Sequence, residues 1–399
     1  MTRKTRSHVD DIRGASRLAL EATRSVTDLV EAMHRTIGGG PEILGRPVEG
    51  ATRVFTSPIY ETIRVVTRWV GAGMDVALEQ LAPLLGEGAP GPERDSVLAV
   101  LNGVLGDYLS ETCNPLAIRM QLRHGGHSLD LERAALRAAF PEASGKLLVL
   151  VHGSCRNDLQ WLRSGHDHGA ALARELGYTP VYLLYNSGLH ISINGRAFAE
   201  LLEALVAEWP APLEQLVILG HSMGGLVARS ACHFGEVGGQ RWRTRLGKLV
   251  CLGSPHHGAA LERAGSWVHL LLGVSRYSAP FAALARIRSA GVTDMRFGYV
   301  LDADWQDRDR FAHRHAPHTL LPLPDGVDCY AIAGTTAAHP GGNLPGDGLV
   351  SVNSALGKHT QPALTLRFPA AHQYVAFGTG HLDLLDRPEV YATLRDWLS

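Results

Sequence analysis

The chain contains no uninterrupted apolar run of the roughly 18 residues that a membrane-crossing helix needs, so none is expected. Net charge is nearly absent. The 38 Lys and Arg against 39 Asp and Glu leave −1, which gives no electrostatic ground for a nucleic-acid partner. Cysteine is sparse and unpatterned: Cys113, Cys155, Cys232, Cys251 and Cys329 include no CxxC pair. That odd, scattered set argues against a disulfide framework and fits a reducing compartment. The opening "MTRKTRSHVDD" is basic but meets acidic residues with no apolar stretch behind it, so no secretory signal is expected and the cytoplasm is the expected location. Internal repeats and low-complexity tracts are missing too.

What is present falls into two regimes. Residues 1–112 read as a helical region broken by "GGGPEILGRP" and "GEGAPGPERD". Ile12, Leu18, Val26, Leu29, Val30, Met33 and Ile37 follow a helical period, and a second helix starts with Ser57 as N-cap and Pro58 in its first turn. A shorter helix is expected near 96–110. From 113 to 399 the pattern changes. "IRMQLRH", Gly125-Gly126 and "HSLDLE" predict a hairpin. Apolar runs at 146–151, 181–185, 216–220, 248–253, 328–334 and 363–368 then alternate with helix-length segments. Continuously apolar strands spaced in this way predict an α/β fold: a mostly parallel central sheet with helices on both faces.

The strand "LVILG" runs straight into "HSMGGLVARSA", so Gly220-His221-Ser222-Met223-Gly224 forms a G-x-S-x-G turn between strand and helix. In that setting the turn is a nucleophile elbow, with the serine held in an unfavourable backbone conformation at the carboxyl end of the strand. A hydroxyl is a poor nucleophile unless a base takes its proton, so an acid and a histidine must follow in the order Ser, Asp or Glu, His. His381 in "GTGHLDLLD" is the candidate base, preferred over His372 because it opens the segment leading into the closing helix. Asp347 in "LPGDGLV" is the candidate acid, on a glycine-rich loop after the 328–334 strand; Asp325 and Asp328 lie at the opposite end of that strand. The oxyanion of an acyl-transfer intermediate needs two donors, expected from the backbone N–H groups of Met223 and Ser154, the latter in "VHGSCRND".

"VHGSC", "GHSMGG", "GSPHHGA", "PGDGLVSVNSA" and "GHLDLL" occur in that order, and together they resemble an α/β-hydrolase of the lipase and esterase type. "GSPHHG" after a strand is especially similar to the branch that includes GPI inositol-deacylase-like and bacterial triacylglycerol lipase-like proteins. The resemblance covers about 115 to 399 and leaves the helical N-terminus outside. It implies hydrolysis of carboxylic esters, with Ser222 as nucleophile, Asp347 as orienting acid and His381 as base. Where that branch commonly has an apolar residue after His-Gly, this chain has Ser154.

The expected reaction is therefore cleavage of a small-molecule or lipid ester through an acyl-serine, with no cofactor and no metal. Thioester hydrolysis or acyl transfer by the same residues is the nearest alternative. A non-catalytic scaffold, with the N-terminal helices as its binding surface, is the alternative of another class. About 260–326 reads as a cap-like insertion, with Trp267, Leu270 and Leu271 facing the substrate; an ordinary helical excursion packed on the core is the plainer reading. The N-terminal helices either pack on the hydrolase domain or lie on a membrane or lipid surface as a peripheral contact. His256 and His257 are read as shaping the loop beside the nucleophile. His166, Asp167 and His168, and likewise His313, His315 and His318, are read as exposed rather than metal-binding.

Overall fold

The computed structural model describes residues 92–259, 289–306, 320–342 and 344–399. The two helices expected within the first ninety residues lie outside these, as do Trp267, Leu270, Leu271, His313, His315 and His318. An eight-stranded sheet organises the described chain, in the order β2-β1-β4-β3-β5-β6-β7-β8. The strands are β1 Gln121–His124, β2 His127–Ser128, β3 Lys146–Val151, β4 Thr179–Leu184, β5 Gln215–His221, β6 Leu246–Leu252, β7 Asp328–Gly334 and β8 Gln373–Ala376. The predicted hairpin is present, and β1 also runs antiparallel to β4; every pair from β4 across to β8 is parallel.

Strand alternation explains the unbroken apolar runs. Leu147, Val149, Val151, Leu216 and Ile218 face one core layer, with Phe198 and Leu202 of α4 Ile191–Glu208 and Leu226 and Val227 of α5 Met223–Val237. Leu148, Leu150, Val217 and Leu219 face the other, with Leu172 of α3 His168–Leu176 and Val390, Leu394 and Leu398 of α9 Pro388–Leu398. Both faces are dry, so neither can carry the polar half of an alternating pattern.

One predicted strand is not formed. Residues 363–368 give a turn of 3-10 helix at Pro362–Leu364 and then extended chain without a sheet partner. Leu366 donates its N–H to the Gly357 carbonyl, and Leu366 and Phe368 are buried in the core, so the alternation there marks a segment packed over a turn. The strand that pairs with β7 is "QYVA", too short and too mixed in polarity to show a period. Its start also settles where His372 lies. The His372 ring stacks on Tyr330 at 4.0 Å and its Nδ1 meets the Cys329 carbonyl, both at the amino end of β7 and so at the opposite rim from β5's last residue.

The helix expected near 96–110 is α1 Pro92–Glu111, and it is buried on nearly all sides from Val97 to Asp107. It packs on the loop that follows β3. A Cβ at Gly103 would stand 2.2 Å from Cys155 Sγ, so only glycine permits this approach. Asn186 Nδ2 donates to the Gly106 carbonyl at 2.8 Å, and Asn102 clamps the chain on either side of Ala117 by bonding the Leu116 carbonyl and the Ile118 N–H. Further short helices are α2 Arg133–Ala139, α6 Ala290–Phe297, α7 Asp302–Trp305 and α8 Val352–Ala355. Within the expected insertion, residues 289–306 pack on the body: Asp294 of α6 accepts the Ile191 N–H at 2.8 Å and pairs with His190 Nδ1 at 3.0 Å. Among the described residues no helix is long and apolar enough to cross a membrane.

Candidate active site

Ser222 sits between the last residue of β5 and the first of α5, at φ 54° and ψ −123°. A non-glycine residue at such a φ carries strain on the order of 1–3 kcal/mol, held here by the packing of strand against helix. That packing admits no side chain at Gly220, where a Cβ would meet the Gly225 backbone nitrogen at 2.5 Å. The Ser222 N–H is fixed by the Leu252 carbonyl of β6 at 2.8 Å.

The structure brings Asp347 and His381 together at this same carboxyl rim. His381 Nδ1 lies 2.7 Å from Asp347 Oδ2, both side chains fully buried. The other carboxylate oxygen, Oδ1, accepts the N–H groups of Leu349 at 3.0 Å and Val350 at 2.8 Å. A carboxylate so bound takes the proton of Nδ1 as a donor and leaves Nε2 of a neutral ring as the bare acceptor. The backbone holds the ring as well: the His381 N–H donates to the Asp347 carbonyl at 3.0 Å, and the His381 carbonyl accepts from His221 Nε2 at 3.1 Å. A Cβ on Gly253, which directly follows Leu252, would lie 3.3 Å from His381 Cε1, so the residue pair that anchors Ser222 also touches the imidazole. Ser222 Oγ and His381 Nε2 are both buried, and neither has a hydrogen-bond partner. A nucleophile and base commonly close their bond only around substrate.

Ser154 and Met223 meet at the serine through Gly153, where a Cβ would stand 3.0 Å from Ser222 Cβ. Among the described residues, no acceptor takes the backbone N–H of Ser154 or of Met223. Cys155 next to it is strained, at φ 59°, and its N–H is held by Ser187 Oγ at 3.0 Å. Burial pushes the Cys155 thiol up to about 11, which keeps it protonated and a packing residue. His256 and His257 brace the loop after β6: His257 Nε2 bonds the Gly357 carbonyl at 2.9 Å, and buried His256 lies 3.4 Å from Arg229 Nη1.

The expectation of exposed histidines at 166–168 is corrected. His168 is buried and His166 half-buried, because Asp167 caps α3 by accepting the Ala170 N–H and so turns His168 inward. Among the described residues no group of three His, Cys, Asp or Glu could hold a metal ion. His168 Nε2 donates to the Leu384 carbonyl at 3.0 Å, which leaves Nδ1 to accept from His166 at 2.8 Å.

Burial pushes His168, and likewise His152, down to about 4. An unfolded imidazole titrates near ~6.5, so between there and about 4 the unfolded chain binds more protons than the folded one. The stability present above that window is therefore lost as pH falls through it, by up to about 3 kcal/mol per histidine. Urea midpoints should drop between pH 7 and pH 5, and less steeply in His168→Gln. Equal slopes for the two proteins would show that His168 is not one of the groups responsible.

Sequence reasoning gave no role to His221, His152, Arg156, Asn157 or Trp161. All of these line one small cleft beside Gly153. The available signal was the "RND" that follows "VHGSC", polar residues where the chain is otherwise closing over a core.

A parallel sheet wrapped by helices, a strained serine at the end of β5 and an Asp–His pair delivered by the loops after β7 and β8 make this the α/β-hydrolase fold. The chain is similar to lipases and esterases of that class. A family model described as a PGAP1-like alpha/beta domain matches residues 189–323, about a third of the chain, which includes Ser222 and ends before Asp347 and His381. No curated protein matches. Among solved structures, the chain is similar to the mature Bacillus licheniformis lipase BlEst2, with 15% identity, TM-score 0.44, and 70% of this chain and 98% of that one covered. Aspergillus fumigatus lipase B gives 13% identity and TM-score 0.41 over 97% of this chain and 84% of that one. A soluble variant of the Saccharomyces cerevisiae monoglyceride lipase gives 13% and 0.37 over 65% and 87%.

Proposed function

We propose that the protein is a serine hydrolase that cleaves carboxylic esters of hydrophobic acyl groups through an acyl-serine. The observation that carries this reading is the pair of buried, unpartnered atoms, Ser222 Oγ and His381 Nε2, with the histidine's other nitrogen locked on Asp347. Ser222 Oγ attacks the ester carbonyl carbon while His381 Nε2 takes its proton. The carbonyl oxygen becomes an oxyanion held by the N–H groups of Ser154 and Met223, each such donor lowering the barrier by about 3 kcal/mol. The carbon–oxygen bond to the alcohol then breaks, and His381 returns the proton to that oxygen. Water repeats the sequence against the acyl-serine and releases the acid. Asp347 remains ionised throughout and stabilises the imidazolium. The reaction as written needs no cofactor.

A fluorophosphonate probe should label wild type at Ser222 and leave Ser222→Ala unlabelled, read by peptide mass spectrometry. A graded series of acyl esters and thioesters, each offered with water and with an alcohol acceptor, then separates ester hydrolysis from thioester hydrolysis and acyl transfer. An unlabelled wild type that hydrolyses none of the series would favour the scaffold.

A further inference from the structure

One short turn grips the segment that carries His381. Arg163 and His166 exchange backbone hydrogen bonds at 2.8 Å, N–H to carbonyl in both directions. Between them Ser164 lies at φ 49° and Gly165 at φ 79°, so both central residues of the turn are left-handed. Such a turn is tight and fixes the direction in which its flanking side chains leave. Here they reach residues 380–386, more than two hundred positions away. Arg163 Nη2 donates to Asp383 Oδ1 and Arg163 Nε to Asp386 Oδ2, each at 3.0 Å. Ser164 Oγ donates to the same Asp386 oxygen at 2.7 Å. His166 reaches the middle of the segment through His168, whose Nε2 donates to the Leu384 carbonyl at 3.0 Å.

What is gripped is the turn that presents the base. His381 is the second residue of the turn 380–383, which Asp383 closes twice. The Asp383 N–H donates to the Gly380 carbonyl at 3.1 Å, and Asp383 Oδ2 accepts the Gly380 N–H at 3.0 Å. Asp383 holds Gly380 with one oxygen only while its carboxylate keeps its orientation, and Arg163 binds the other oxygen. The Asp383 side chain is 39% exposed, so water competes for both oxygens and the hold depends on a fixed partner. Asp386 closes the far end: its N–H donates to the Asp383 carbonyl at 3.2 Å, while its carboxylate takes Arg163 Nε. One planar guanidinium thus ties both ends of the 3-10 turn Asp383–Leu385, which begins two residues after His381.

We propose that Arg163 is a positioning residue for the reaction. Acting through Asp383 and Asp386, it holds the backbone of residue 381 where the Asp347-bound imidazole meets Ser222. The inference rests on the hydrolase reading for what His381 does there. Its rival is a staple between two loops that serves stability alone. The two differ in turnover. Misplacing reacting groups by about 1 Å costs about a hundredfold in rate, whereas lost stability costs nothing in the molecules still folded.

Arg163→Met keeps the length of the side chain and removes its donors. In the full, folded chain it should lower kcat for the best ester by about tenfold to a hundredfold, with KM little changed. Fluorophosphonate labelling of Ser222 should slow by a similar factor. Arg163→Lys, which reaches one carboxylate but not both, should recover part of the loss. The Nδ1 proton that His381 shares with Asp347 supplies a readout independent of turnover, a far-downfield proton NMR resonance assigned by its absence from His381→Gln. In Arg163→Met it should broaden and exchange faster with water. A variant that melts lower, with kcat, labelling and resonance unchanged in its folded fraction, overturns the proposal, as does a loss confined to KM. Should Arg163→Met not fold, Asp386→Asn, which weakens the grip at one end alone, should show a smaller loss of the same kind. An Asp386→Asn protein indistinguishable from wild type in all three then overturns the proposal. A wild type that neither labels nor hydrolyses ends the hydrolase reading, and the resonance then decides the grip on residue 381. Faster exchange in Arg163→Met upholds that grip; equal exchange, or a resonance missing from wild type, overturns it.

Discussion

Ser222→Ala should lower kcat for the best ester of the series by about a millionfold, and His381→Ala by nearly as much, because attack and proton removal are one event. The double variant should lose little beyond either single one. Stability should separate the two. The Ser222 hydroxyl is buried without a partner, so its removal relieves an unpaired polar group and leaves the melting temperature unchanged or slightly raised. His381→Ala deprives the buried Asp347 Oδ2 of its donor and His221 of nothing, since His221 bonds the backbone carbonyl of residue 381. That variant should melt lower, and its kcat needs measuring on the folded fraction. Losses that add in the double variant would mean that the two residues do not work as a unit.

What the sequence disclosed and what it hid divide along physical lines. β3 and β7 are found with the expected bounds, because a strand dry on both faces leaves an uninterrupted apolar run. The elbow was legible for a related reason: where a Cβ at Gly220 on the strand would stand 2.5 Å from the helix backbone at Gly225, only glycine fits, and the glycines print the turn into the chain. β8 was hidden because an edge strand of four residues has too few positions to show a period, and "ALTLRF", which does alternate, spends that alternation on covering Gly357. His168 was misjudged because a local motif does not reveal which way an N-cap turns the next side chain. Which carboxylate comes home to which arginine was hidden as well: Arg163 meets Asp383 from more than two hundred residues away. No local pattern encodes that pairing.

Strain concentrates around the same rim. Of the four non-glycine residues at positive φ among the described residues, two lie on the loops of the proposed site: Ser222 after β5 and Cys155 after β3. α1 presses on the second of them through Gly103, and Ser289 Oγ bonds the Gly103 carbonyl at 2.7 Å, so a helix from outside the sheet supports the loop after β3 from behind. On the proposed mechanism, such support would keep the Ser154 N–H aimed before substrate arrives, which is where electrostatic stabilisation of an oxyanion gains most of its effect.

Asp347→Asn should keep the fold and lower kcat about ten-thousandfold, through the tautomer of His381 rather than through its position. The reason lies in how the two carboxylate oxygens are used. Oδ1 accepts two backbone N–H groups, from Leu349 and Val350, so an asparagine must place its carbonyl oxygen there; the opposite flip would set its NH2 group against two donors. Its NH2 group then faces His381 Nδ1, where Oδ2 stood 2.7 Å away, and donates to it. The ring's proton moves to Nε2, which can no longer accept from Ser222. Raising pH would not restore such a ring, so the loss should persist through the alkaline range in kcat against pH. Fluorophosphonate labelling of Ser222 should slow in proportion. An Asp347→Asn protein within about tenfold of wild type would show that His381 keeps its reactive tautomer without the carboxylate, and the role given to Asp347 would have to be withdrawn.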